Sequence, residues 1–276
     1  MTDLRLLTAD ERLAEARGPK ILLVGVPGAG KTYQLRFLGA ERLAQTLFLD
    51  AEAGDLSAID VKVASVRTRI WTDCRDIACV LGGPNPALPS SAPYSQAHYQ
   101  NVIANPVLAN LARFTILFVD SLTEVSRQCL TWALQQPESV NERGRRDLRA
   151  TGLLARELVG WLQQVQHDRA RTVILVAILE RITDDFGRAE WRPQLEGQRT
   201  GRELPGIIDE VVTLQHVDFG DGKPIRVLVC TNPNPWLVPA KDRSGKLDQL
   251  EPPDLGKLLL KLTSPRSANS TPGETS

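Results

Sequence analysis

A chain of 276 residues, 42% hydrophobic and 24% charged, has room for one large domain or two small ones around a substantial core. Its formal net charge of +0 sets up no bulk positive field, so a nucleic-acid partner would have to be met by a local basic patch. Four cysteines without a C-x-x-C pair and three scattered histidines argue against zinc and for reduced thiols in the cytoplasm. No apolar run approaches the roughly 20 residues that cross a bilayer, and residues 1–7 lack the basic-then-apolar pattern of a signal peptide.

In chain order, residues 1–17 read as a helical extension. Thr8 followed by Glu11 has the spacing of a capping box, and the helix packs either on its own domain or on a neighbouring subunit. The apolar run 21–24 then leads into Gly25, Val26, Pro27, Gly28, Ala29, Gly30, Lys31 and Thr32, and residues 33–43 have the spacing of a helix. This is G-x-x-x-x-G-K-[ST] between a strand and a helix, the setting in which it cradles a nucleotide's phosphates. The glycines allow positive φ, so successive amides face one concavity. Lys31 can reach the β- and γ-phosphates of ATP, and Thr32 can offer its hydroxyl to Mg²⁺. Tyr33 completes the candidate nucleotide-binding set.

Residues 46–50 form a compact apolar run ending in acid, and 61–66 alternate as a strand does. A helix is expected over 72–81, a proline-rich loop over 82–93, and helical spacing over 94–113 interrupted at Pro106. The uninterrupted run 114–120 suits a central parallel strand. It ends in Asp120 and Ser121, at the strand end where α/β sheets bind ligands. In a phosphate-loop protein that acid holds Mg²⁺, usually through water; the alternative is a helix N-cap. A helix from Leu122, a polar stretch over 137–152, a helix with Leu154, Leu158, Trp161, Leu162 and Val165 as its buried stripe, and a buried strand over 172–179 follow. Residues 180–205 form a polar loop too long for a plain connector. Two late strands, 207–217 and 225–230, flank a Gly-Asp-Gly turn that suggests an antiparallel pair. A charged loop contains Lys241 and Arg243, a short helix spans 255–262, and the tail 263–276 has a disordered composition. The expected domain is a phosphate-loop α/β sandwich over 18–262, with 82–113 longer than a minimal core needs. Arg143, Arg145, Arg146 and Arg149 in the first polar stretch, with Trp191, Arg192, Arg199 and Arg202 in the second, are candidates for single-stranded DNA. Arginine pairs with phosphates and an aromatic ring stacks on any base. The interspersed acids keep a solvated face as the alternative.

Several stretches carry a family likeness. Residues 48–52, ending in Glu52, resemble the segment of RecA-type recombinases whose glutamate polarises the attacking water, and Asp120 followed by Ser121 rather than a second acid resembles the RecA form of this motif. Residues 120–124, 197–201, 204–210 and 240–245 are similar to phage-encoded, RecA-like single-strand annealing ATPases, with pieces spread over roughly residues 18–262. The resemblance implies a RecA-like P-loop NTPase fold with a mostly parallel sheet and late antiparallel strands. It implies an ATPase with Mg²⁺ that binds single-stranded DNA in its two polar loops and anneals complementary strands in homologous recombination. It further implies a homo-oligomer, ring or filament, and a single-strand-binding protein as a partner. Glu52 would then activate water, and Lys241 and Arg243 would be cations supplied across a subunit interface. Their alternatives are an exposed carboxylate in a turn and a solvated charged loop. The glutamine that senses γ-phosphate in RecA has no counterpart, since Leu179, Glu180 and Arg181 stand there. Two competing readings are a nucleotide-gated assembly module with little turnover and a hexameric helicase or packaging motor.

Overall fold

The computed structural model describes residues 6–140, 149–183, 187, 189–220 and 222–265; for residues 55, 198, 199 and 202 only the backbone is described. Thr8 caps helix α1 (Ala9–Ala14), its hydroxyl accepting from the Glu11 amide at 3.2 Å while the Glu11 carboxylate accepts from the Thr8 amide at 2.8 Å. This is the expected capping box, although no residue of α1 is buried. Strand β1 (Lys20–Gly25) runs into the phosphate loop. The helix expected over 33–43 is realised as 3₁₀ turns over Thr32–Leu38 followed by α2 (Gly39–Ala44), because Gly39 takes φ 75° and breaks the run. Apolar spacing does not register such a break.

Next come β2 (Thr46–Asp50), β3 (Ala64–Arg67) and α3 (Trp71–Gly82). The helical spacing over 94–113 splits into α4 (Gln96–Ile103) and α5 (Pro106–Ala109), with Pro106 starting the second as its first turn permits. Strand β4 (Ile116–Asp120) leads directly to α6 (Leu122–Gln135), and α7 (Arg149–Val165) precedes β5 (Thr172–Thr183). The stretch 180–205 is not the irregular loop expected from its polarity. Strand β5 continues to Thr183, returns as β6 (Ala189–Pro193), and is followed by α8 (Gln198–Ile207). That helix also takes Ile207, the first residue assigned to the late strand, which begins at Glu210 as β7 (Glu210–Val217). Strand β8 (Ile225–Val229), the short β9 (Lys241–Asp242) and β10 (Leu250–Glu251), and α9 (Leu255–Thr263) complete the described chain.

The sheet order is β10-β8-β7-β1-β5-β4-β2-β3, with β6 on β5 and β9 on β7. Strands β7, β1, β5, β4, β2 and β3 are parallel neighbours, and β8 pairs antiparallel with β7 as the turn residues suggested. Alternation along β1 divides the core. Leu22 and Val24 face a layer containing α3, α6 and α7, where Trp71 and Trp161 pack with ring centres 6.3 Å apart. Ile21 and Leu23 face the other layer, formed by the 3₁₀ turns and α9. Covering on both faces explains the continuous apolar runs of the central strands. The fold is thus an α/β sandwich with a mostly parallel central sheet and late antiparallel strands, and the register places the ends of β1, β2 and β4 along one rim. Among the described residues no helix is long and apolar enough to cross a membrane.

Candidate active site

At the carboxyl end of β1, Gly28 and Gly30 take φ of 78° and 96°, values L side chains rarely adopt. Val26, Pro27 and Gly28 are exposed at the tip while Ala29 is buried. The Lys31 ammonium folds back along the loop and donates to the carbonyls of Gly25 (2.8 Å) and Val26 (3.1 Å). Burial pulls its pKa down, and the charges of Asp120 and Glu52 pull it back up. Tyr33 is largely exposed; its ring meets Phe37 edge-on at 5.8 Å, with the Arg36 guanidinium 5.0 Å from its centre.

The strand order brings three distant side chains, Asp120, Ser121 and Glu52, to this loop. The Thr32 hydroxyl donates to the Asp120 carboxylate, and the Ser121 hydroxyl donates to the Glu52 carboxylate. Ser121 also accepts from the Glu124 amide at 3.3 Å, so Ser121 is the N-cap of α6 and Asp120 is left to face Thr32. The amides of Ala51 and Glu52 both reach the Asp120 carbonyl, at 2.8 and 3.4 Å, which folds the segment after β2 over the end of β4. Burial pushes the Asp120 pKa up to about 6; the Thr32 hydrogen bond opposes this, Glu52 adds to it and Lys31 counters it.

These donors suit Mg²⁺. A hydroxyl and a buried carboxylate already in contact are the protein's share of a hard-cation site, and Mg²⁺ takes its remaining ligands from phosphates and water. Among the described residues no cluster of three or more His, Cys, Asp or Glu could hold a metal by itself. Sequence reasoning passed over Asp50. It is buried beside Asp120 in register, with the Arg67 Nε 3.4 Å from its carboxylate. Its signal was an acid closing a buried apolar run, the same signal that marked Asp120.

Lys241 and Arg243 lie elsewhere. Strand β9 pairs with Glu210 and Val211, which pair with Ile21 and Leu22 of β1. They therefore sit roughly 10 Å, three residues of strand, below the phosphate loop of their own chain. The Lys241 ammonium donates to the carbonyls of Pro205 (2.6 Å) and Ile208 (2.7 Å), while Arg243 pairs with Asp209 at 2.7 Å and donates to Gly206 O at 3.0 Å. Glu210 braces this loop by accepting from the amides of Arg243 and Ser244 at 3.1 Å each. Burial pushes its pKa up to about 7, with the neighbouring Asp242 adding to the rise.

Of the residues read as DNA contacts, Arg143, Arg145 and Arg146 lie outside the described residues, and Arg149 opens α7 in an exposed position. Trp191 and Arg192 lie on β6, where Arg192 is paired with Glu180 at 2.9 Å. Arg199 and Arg202 fall on α8, with only their backbone described. The β5–β6 hairpin, α8 and the loop 232–240 enclose a cleft of about 630 Å³, walled by Trp191, Pro193, Pro233, Leu237 and Pro239.

A phosphate loop with Thr32, Asp120 and Glu52 around it, on a parallel sheet covered on both faces, defines a P-loop NTPase domain. In comparisons with known families, residues 17–244 match the model described as an AAA domain. The chain belongs to the AAA domain family. No curated protein matches it. Among solved structures it is similar to the RadB recombinase at 16% identity, with 80% of this chain and 84% of that chain covered and a TM-score of 0.37. It is also similar to the flagellar accessory protein FlaH from Methanocaldococcus jannaschii, at 7% identity, covering 77% and 78% of the two chains with a TM-score of 0.36. Likenesses this distant do not bear on activity.

Proposed function

We propose that the protein is an ATPase that binds single-stranded DNA and anneals complementary strands in homologous recombination, working as a homo-oligomer. The observation that carries the hydrolytic half is the convergence of Lys31, Thr32, Asp120, Ser121 and Glu52 from three strands onto one rim. The loop amides and Lys31 hold the phosphates, stabilising charge on the transferred group. Thr32 and Asp120 would hold Mg²⁺, which would supply positive charge against the phosphates. Glu52, oriented by Ser121, takes the proton of the attacking water.

Lys241 and Arg243 are too far below their own loop to meet their own nucleotide, so a role on phosphate requires a neighbouring subunit. A cation supplied in this way is worth about 10³–10⁵ in rate in P-loop enzymes. Oligomers mixed from K31A and R243A subunits are expected to regain hydrolysis that neither variant shows alone. A mixture no more active than its parents removes the shared-site reading.

For the DNA half, the support is placement. The β5–β6 hairpin extends the strand beside β4 beyond the catalytic rim and carries Trp191 and Arg192 next to α8. With a non-hydrolysable ATP analogue present, affinity for an oligonucleotide is expected to fall linearly in log salt. Trp191→Ala is expected to weaken it by about 1–3 kcal/mol, the value of one stacked base. Absent or salt-independent binding overturns this half. The Glu180–Arg192 ion pair (2.9 Å) favours a second reading, a nucleotide-gated assembly module with little turnover, because it neutralises a candidate DNA contact. Hydrolysis unaffected by single strands, together with nucleotide-dependent oligomerisation, would select it.

A further inference from the structure

Arg226 stands beside the phosphate loop although nothing in the sequence around it suggested a role there. It is the second residue of β8 and pairs with His216 of β7. Thr213 of β7 pairs with Val24 of β1, so His216, three residues further on, lies beyond the end of β1 and level with the loop. From there the Arg226 side chain reaches across β7. Its Nη1 and Cζ lie 3.0 and 3.4 Å from the point a Cβ on Gly30 would occupy. Its Nε is buried and makes no hydrogen bond, and no carboxylate among the described residues pairs with the guanidinium. A part-buried, unpaired guanidinium against an anion-binding loop is a donor lacking its acceptor.

The sheet order says which part of a nucleotide it faces. Asp120 and Glu52 follow β4 and β2, on one side of β1, and with Thr32 they mark the Mg²⁺ and γ-phosphate end. Strands β7 and β8 lie on the other side of β1. Resting on the nucleotide-binding reading above, we propose that Arg226 is a cationic ligand, supplied by the same chain, for the diphosphate part of the bound nucleoside triphosphate. Arg226 then grips ADP and ATP alike, a positioning contact and not a sensor of the γ-phosphate. Arginine suits this place because its planar fork can donate to two phosphate oxygens at once.

The test is equilibrium binding of Mg²⁺–ADP and of a non-hydrolysable Mg²⁺–ATP analogue to wild type, R226Q, R226K and K31A, with thermal unfolding of each nucleotide-free protein. Removing one charge-assisted phosphate contact is expected to weaken both nucleotides by about the same factor, tenfold or more, with R226K recovering part of the loss. The KM for ATP should rise by a similar factor, a change that a purely structural side chain with unaltered nucleotide-free stability would not give. An unpaired side chain leaves nucleotide-free stability nearly unchanged when replaced. Should R226Q unfold, the ADP affinity of R226K decides alone, a value equal to wild type refuting the contact. Unchanged ADP affinity in a folded R226Q overturns the proposal, as does a loss confined to the ATP analogue. Wild type without nucleotide affinity, or K31A with full affinity, overturns the nucleotide-binding reading beneath it, a result that R226Q alone could not produce.

Discussion

Lys31→Ala is expected to abolish tight nucleotide binding while leaving the fold intact. In the structure the ammonium is held by two carbonyls of its own loop, Gly25 and Val26. A polyphosphate arriving in the concavity offers charged acceptors in their place, and charge-assisted bonds are roughly twice as strong as neutral ones. Losing two such bonds costs about 3–5 kcal/mol, or on the order of 10²–10⁴ in affinity. Burial disfavours the charged lysine in the nucleotide-free state, and the charges of Asp120 and Glu52 oppose that shift. Titration calorimetry with Mg²⁺–ATP and a thermal melt would separate the two effects. Undiminished affinity in the variant would remove the phosphate-loop assignment and everything built on it.

Glu52→Gln is expected to bind ATP as wild type does and to lose about 10²–10⁴ in single-turnover hydrolysis, the range for a general base. Glu52 is largely exposed, and on sequence grounds it could equally have been an idle carboxylate in a turn. Its position speaks for a role. The Asp120 carbonyl holds the backbone at Ala51 and Glu52, and the Ser121 hydroxyl holds the carboxylate. Ser121→Ala should therefore give a smaller loss in the same step, because it frees the base without removing it. If the glutamine variant hydrolyses ATP at the wild-type rate, Glu52 is not the base, and the assembly reading with little turnover gains.

The two polar stretches illustrate a limit of composition. Residues 180–205 were legible as important but not as ordered. A hairpin whose outer residues are charged has the composition of a loop, and only the pairing of Leu179–Thr183 with Ala189–Pro193 reveals strands there. The late antiparallel pair was legible because its glycine-flanked turn encodes the reversal locally. The Gly39 break was not, since one glycine within an apolar period looks like a tolerated substitution.

What the amino-acid order settled unaided was local: a glycine-rich loop between strand and helix, buried runs that must be central strands, an acid at the end of one of them. Each depends on the conformations of a few neighbouring residues and on alternation of apolar side chains. The tertiary structure alone decided which of these meet. Thr32 and Asp120 are 88 residues apart, and Glu52 and Ser121 are 69 apart. They touch because β5 lies between β1 and β4 while β2 lies beyond β4. The same order carries Arg226 to Gly30 and leaves Lys241 and Arg243 at the far end of the sheet. Spacing along the chain holds no record of strand order, which is chosen by how whole hydrophobic faces are buried.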